Sequence, residues 1–116
     1  MPKFLRGEPL FPGSNLILVD PGGEETADGT KATPLGAGAA GEVYRAIQDG
    51  LLHRAVKILS PTPDLLAKLG PDELRAGFDR EKLKLSRLTH SNVAKLISFG
   101  TIPDGDIPYL VMEFVD

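Results

Sequence analysis

Two turn signals with one strand pattern between them constrain this chain most. Gly36-Ala37-Gly38-Ala39-Ala40-Gly41 comes first and Asp49-Gly50 follows. Between them, Glu42-Val43-Tyr44-Arg45-Ala46-Ile47 carries good strand formers, and Leu52 to Leu59 supplies another apolar run. Asp-Gly is the strongest short hairpin signal, because both residues accept the left-handed backbone of a tight primed turn. Strands joined so tightly run antiparallel. From Lys31 onward the pattern therefore reads strand (Lys31 to Leu35), glycine turn, strand, tight turn, strand.

The remainder fits around that meander. Pro63 can open a short helical turn that Gly70 ends. Pro71 can open a longer helix, with Asp72 and Glu73 complementing its dipole. The apolar stripe of that helix is Leu74, Phe78, Leu85 and Leu88. Helical spacing puts Glu81 inside the stripe, where a lone carboxylate is costly without a partner. Val93 to Phe99 reads as a strand of mixed pattern and Pro103-Asp104-Gly105 as a turn. Pro108 to Val115 reads as a strand covered on both faces. The expectation is an α+β fold: a five-stranded antiparallel sheet, one main helix and a short helical turn before it. Residues 1–30 are rich in proline and glycine and read as a flank with one plausible short strand at Asn15 to Val19. Residues 31–116 read as the folded unit.

Bulk properties set the limits. A length of 116 residues supports one domain. The net charge of −3 argues against a nucleic-acid backbone as main partner. The absence of cysteine excludes disulfides and thiolate metal sites, and fits a reducing, cytoplasmic setting. No stretch approaches the ~20 apolar residues of a membrane helix, and no signal peptide is visible.

Gly36, Gly38, Gly41 and Val43 spell G-x-G-x-x-G-x-V. Glycines let a backbone approach a phosphate and present its N–H groups without a Cβ in the way. Taken alone, the triplet is a weak signal, and a plain Gly/Ala turn is the favoured reading of it. A dinucleotide-binding loop would need to open a helix and be followed by an acidic residue about 20 positions on. Here a strand and an Asp-Gly hairpin follow instead. Lys57, within Ala55-Val56-Lys57-Ile58, can be a lysine on a solvated strand face or the partner that Glu81 needs. Glu81 could equally rotate to the helix edge and meet Arg45 or water. His53 and His90 read as structural.

Together these pieces resemble the small lobe of the protein-kinase family, in its wording closest to bacterial Ser/Thr kinases of the eukaryotic-like type. The resemblance runs through Leu35 to Tyr44, Ala55-Val56-Lys57, Phe78-Asp79-Arg80-Glu81, Leu88-Thr89-His90-Ser91-Asn92-Val93 and Pro108 to Val115. Ser91 stands where proline is common, and Ala40 where the loop tip is often aromatic. The resemblance implies an ATP site with Mg²⁺. Lys57 would hold the α- and β-phosphates, positioned by Glu81. Leu35, Gly36, Ala37, Gly38, Ala39, Ala40 and Gly41 would form the phosphate-covering loop. Val43 and Ala55 would sandwich the adenine and Met112 would limit the pocket's depth. The hinge Glu113-Phe114-Val115 would hold the adenine edge through the backbone groups of Glu113 and Val115. Leu85 and Leu96 would belong to an apolar stack that reports helix docking. No metal ligand is expected in this chain.

The family's catalytic and Mg²⁺-binding aspartates would lie beyond the hinge, in a C-terminal lobe that would be the partner of this one along with a protein substrate. No His-Arg-Asp or Asp-Phe-Gly triplet occurs here. The 116 residues alone are expected to lack kinase activity and to bind ATP with Kd near or above roughly 1 mM. The alternative class is a non-catalytic, pseudokinase-like nucleotide-binding or scaffold module. An apolar patch of Val43, Ala55, Leu96 and Met112 is expected on the uncovered cleft.

Overall fold

In the computed structural model, the described residues are 4–23, 27–38, 41–59, 63–87 and 95–114, with the side chains of 38, 63, 65, 66, 71 and 81–87 excepted. Element order is β1 (Leu16–Val19), β2 (Gly36–Gly38), β3 (Gly41–Gln48), β4 (Leu52–Leu59), α1 (Pro63–Lys68), α2 (Pro71–Arg87), β5 (Leu96–Ile102) and β6 (Ile107–Glu113). The strands form one six-stranded sheet in the order β1-β3-β4-β6-β5, with β2 also on β3. Every pairing is antiparallel. The fold is α+β, as expected, but it has six strands instead of five. The additional strand is Leu16–Val19, which is hydrogen-bonded into the same sheet through β3.

The second departure concerns where β2 begins. A strand was expected from Lys31 to Leu35, yet Lys31 makes only an isolated bridge with Leu5. Pairing with β3 starts at Leu35, whose N–H donates to the Val43 carbonyl at 2.6 Å. Pro34 just before it has no N–H to offer. The glycine segment itself is therefore the strand, and Gly38 stands opposite Gly41. One edge of β3 thus carries β2 along Gly41–Val43 and β1 along Arg45–Gln48, while β4 takes its whole other edge.

The Asp49-Gly50 hairpin forms as read: both residues have positive φ, 54° and 73°, which is the backbone of a primed turn. The Gln48 carbonyl accepts the Leu51 N–H at 3.1 Å. β5 runs from Leu96 to Ile102, later than the expected Val93 to Phe99, because Thr101 and Ile102 pair with Pro108 and Ile107 right up to the following turn. Gly105 and Asp106 turn there with φ of 89° and 51°. Residues 88–94 lie outside the described residues. α2 begins at Pro71 with Asp72 and Glu73 in its first turn, where they complement the helix dipole. Its buried side chains Leu74 and Phe78 lie one turn apart, and the helix meets the sheet at β5.

Directly opposed residues of antiparallel strands share a face, and faces alternate along each strand. One face carries Leu16, Leu18, Tyr44, Ala46, Val56, Ile58, Ile102 and Val111, all buried in a single cluster. The segment before β2 covers it. Phe4, Leu10 and Ala32 enter the cluster, and Phe11 packs against it. The Phe4 ring lies 5.7 Å from that of Tyr44, and Phe11 lies 6.0 Å from Tyr109. Complete burial of such side chains contributes ~1.5–3 kcal/mol each.

Backbone bonds and one arginine hold that segment in place. Gly7 N–H donates to Leu18 and Leu18 N–H to Glu8, while Ala32 N–H donates to Phe4. The Arg6 guanidinium forks between Asp20 at 2.6 Å and Asp28 at 2.5 Å. Asp28 is held well below the usual carboxylate range, at about 2, first by the Thr30 hydroxyl and backbone N–H and then by Arg6. Asp20 is lowered by the Thr33 N–H and then by Arg6. Burial, with Glu42 alongside, pushes the Tyr44 hydroxyl above its ordinary range.

Candidate functional site

The opposite face carries the residues singled out from the sequence. Register sets two adjacent rows across the sheet. The first runs Gly36, Val43, Lys57, Leu110 and Phe99, over β2, β3, β4, β6 and β5. The second runs Arg45, Ala55, Met112 and Leu96 over β3, β4, β6 and β5. Leu110 and Met112 are buried, whereas Val43, Ala55, Lys57 and Leu96 are half-buried. Lys57 therefore stands in the middle strand between a β-branched residue and a leucine, with Ala55 two positions before it.

At one end of this face lies the glycine hairpin. Leu35, Gly36 and Ala37 are exposed, and Gly41 is buried at the start of β3. A Cβ built on Gly36 would meet nothing within 4 Å, so the backbone there is open to a bulky group. Gly38 lies opposite Gly41; Ala39 and Ala40 lie outside the described residues. β6 ends at Glu113, whose N–H donates to the Lys95 carbonyl at 2.8 Å. Phe114 follows, half-buried, and Val115 lies outside the described residues. Glu81 falls within α2, and its side chain is among those not described, as is that of Leu85.

Sequence reasoning missed a cluster beside the second row. The Arg45 guanidinium lies over the Phe114 ring, 4.3 Å from its centroid. Nη1 of Arg45 donates to the Pro21 carbonyl at 2.6 Å. Nε and Nη2 approach Nδ1 of His53 at 3.3 and 3.1 Å. The His53 and Phe114 rings are 6.4 Å apart. Arg45 had been weighed only as a partner for Glu81. Alternation along β3 puts Arg45 on the face of Val43, and that signal could have found it.

Among the described residues no group of histidine, aspartate and glutamate could hold a metal ion. Among the described residues the arrangement is an apolar floor of Val43, Ala55, Leu110 and Met112 with the Lys57 ammonium group in its middle strand and the glycine segment at its margin. Such a surface suits an aromatic ring that carries anionic groups.

No protein-family model matches the chain. Over 101 residues, 85% of its length, the chain is 34% identical to wall-associated receptor kinase 5 of Arabidopsis thaliana. Over 100 residues it is 33% identical to wall-associated receptor kinase 4 of the same plant. It spans about 12% of the length of each. This likeness marks a protein-kinase-related region in the chain. Among the described residues no helix is long and apolar enough to cross a membrane.

Proposed function

We propose that this chain is the ATP-binding small lobe of a Ser/Thr protein kinase of the eukaryotic-like type, cytoplasmic, with phosphoryl transfer from Mg·ATP to protein hydroxyls performed by the full-length protein. One observation carries the reading. The glycine hairpin, Lys57, and the apolar residues Val43, Ala55 and Met112 fall on one sheet face in two neighbouring rows. A nucleotide laid along that face would meet the ammonium of Lys57 with its α- and β-phosphates and Val43 and Ala55 with its base. The backbone of Leu35 to Gly41 would cover the phosphates. Met112 would bound the pocket. The Glu113 N–H donates to Lys95; by the resemblance, backbone groups of Glu113 and Val115 would meet the adenine edge. Glu81, on α2, would position Lys57. Mg²⁺ would arrive with the nucleotide. By the family resemblance its ligands and the catalytic aspartate would belong to a second lobe.

The test is an NMR titration of the isotopically labelled 116-residue chain with ATP. Saturable shifts at Gly36, Val43, Lys57 and Glu113 are expected with Kd near or above roughly 1 mM. Lys57→Met should weaken that binding about tenfold, since a charge-assisted contact to phosphate is lost. The fold should survive, because Lys57 is not part of the buried cluster. ATP shifts confined to the covered face, or unchanged by the substitution, would defeat the proposal.

A further inference from the structure

We infer that Arg45 is a positioning residue for the nucleotide base: it fixes Phe114, and it links that segment to the chain that precedes β2. This rests on the nucleotide-site reading above. The geometry is that of a three-way tie. Arg45 comes from the middle of β3, in the row of Ala55 and Met112. One nitrogen is committed to the Pro21 carbonyl, in the turn just after β1, at 2.6 Å. Two others meet His53 Nδ1, near the start of β4. The cationic plane covers Phe114, directly beyond the end of β6, at 4.3 Å.

The turn at Pro21 is shaped for this approach. Gly23 has φ of 88°, and a Cβ there would stand 3.5 Å from the guanidinium carbon. The Asp20 carbonyl accepts the Gly23 N–H at 2.7 Å, which closes the turn. A guanidinium can satisfy these partners at once because its donors form a rigid planar fork and its face stacks on a ring. Lysine has neither property. Phe114 stands one residue after Glu113 and one before Val115, so fixing its ring fixes the backbone that would meet the adenine edge. The phosphates would lie at the other end of the site, near Lys57 and the glycine hairpin, away from the tie.

The inference therefore predicts a split between base and phosphate binding. NMR titrations of the 116-residue chain would use adenosine and inorganic tripolyphosphate as separate probes. Arg45→Met should raise the Kd for adenosine about two- to fivefold, the worth of an exposed cation–π contact, and leave that for tripolyphosphate unchanged. It should also shift the Phe114 ring signals before any ligand is added. Phe114→Ala should match its effect on adenosine, and the double variant should lose no more than either single one, as expected for one coupled unit. If Arg45→Met does not fold, Arg45→Lys carries the test, with a smaller loss for adenosine alone. Unchanged adenosine affinity, equal loss on both probes, or additive single variants would each overturn the role of Arg45 while leaving the nucleotide site standing. A wild-type chain that binds neither probe would overturn both.

Discussion

The two faces of the sheet are built from the same strands and finished differently. On the Tyr44 face the central apolar side chains are sealed: Tyr44, Ala46, Val56 and Ile58 have no exposed surface. On the Lys57 face the neighbouring residues Val43, Ala55 and Lys57 remain half-buried. Composition does not separate the two, since both are lined mainly by apolar residues. The difference comes from what lies on top. The described residues before β2 cover the first face and anchor there through Phe4, Leu10 and Ala32, whereas described side chains of the second stay only half-buried. A sheet that must present a binding surface can draw its stability from the other side.

The harshest way to break the comparison is to strip the covered face. Removing residues 1–34 deletes β1 and with it Phe4, Leu10, Leu16, Leu18, Val19 and Ala32, all buried. The remainder should lose its fixed structure, because Tyr44 and Ile58 would then face water and the lost burial exceeds the net stability of a small domain. A collapsed, poorly dispersed amide NMR spectrum is expected. A well-dispersed spectrum close to that of the parent would show that the covering segment is dispensable.

A finer probe compares adjacent residues of β3. Tyr44→Ala should cost ~3–5 kcal/mol, the usual range for emptying an aromatic site in a packed interior. Val43→Ala, one position away on the half-open face, should cost ~1 kcal/mol. Urea unfolding followed by circular dichroism measures both. Similar costs at the two positions would mean that the open face is as tightly packed as the covered one.

Much of this contrast was legible in the sequence, and the omissions have physical causes. The Asp49-Gly50 hairpin, the antiparallel meander, both helix starts and the buried stretch Leu110 to Met112 of β6 follow from local rules of turn chemistry, capping and alternation; the ends of β6, expected to be covered on both faces, are only half-buried or exposed. Leu16–Val19 was visible as strand material, but its place beside β3 depends on pairing Leu18 with Ala46, 28 positions further along the chain, which no local window contains. The start of β2 was misjudged because glycine has low strand propensity, yet pairing with Gly41 to Val43 overrides it. In the candidate site, alternation puts Ala55 and Lys57 on one face of their strand, and only the family resemblance joins Val43 to them. The Arg45 tie escaped notice because its partners Pro21, His53 and Phe114 are scattered along the chain.

The smallest expected effect concerns the fastening of the covering segment. Asp28 has its folded-state value lowered to about 2, whereas an unperturbed aspartate titrates near ~3.9. A carboxylate lowered in this way stabilises the folded state fully above the unfolded value. That contribution then fades as pH falls from about 4 toward about 2, as the unfolded state binds the proton first. Asp20, lowered by the same arginine and by the Thr33 N–H, acts in the same direction. Acid should therefore weaken the Arg6 fastening locally, at Asp20 and Asp28, while the buried contacts of Phe4, Leu10 and Ala32 still hold the segment on the sheet. Amide hydrogen exchange should rise first at Arg6, Thr30 and Ala32 as pH is lowered through this window, after correction for intrinsic rates. Asp28→Asn should remove part of the acid sensitivity and slightly lower stability at neutral pH. The pair is solvent-accessible, at 17% and 41% side-chain exposure, so salt should also weaken it. Simultaneous loss of protection at Tyr44, Val56 and the segment would instead mean that the cover and the sheet unfold as one cooperative unit, and that the two faces are not independently fastened.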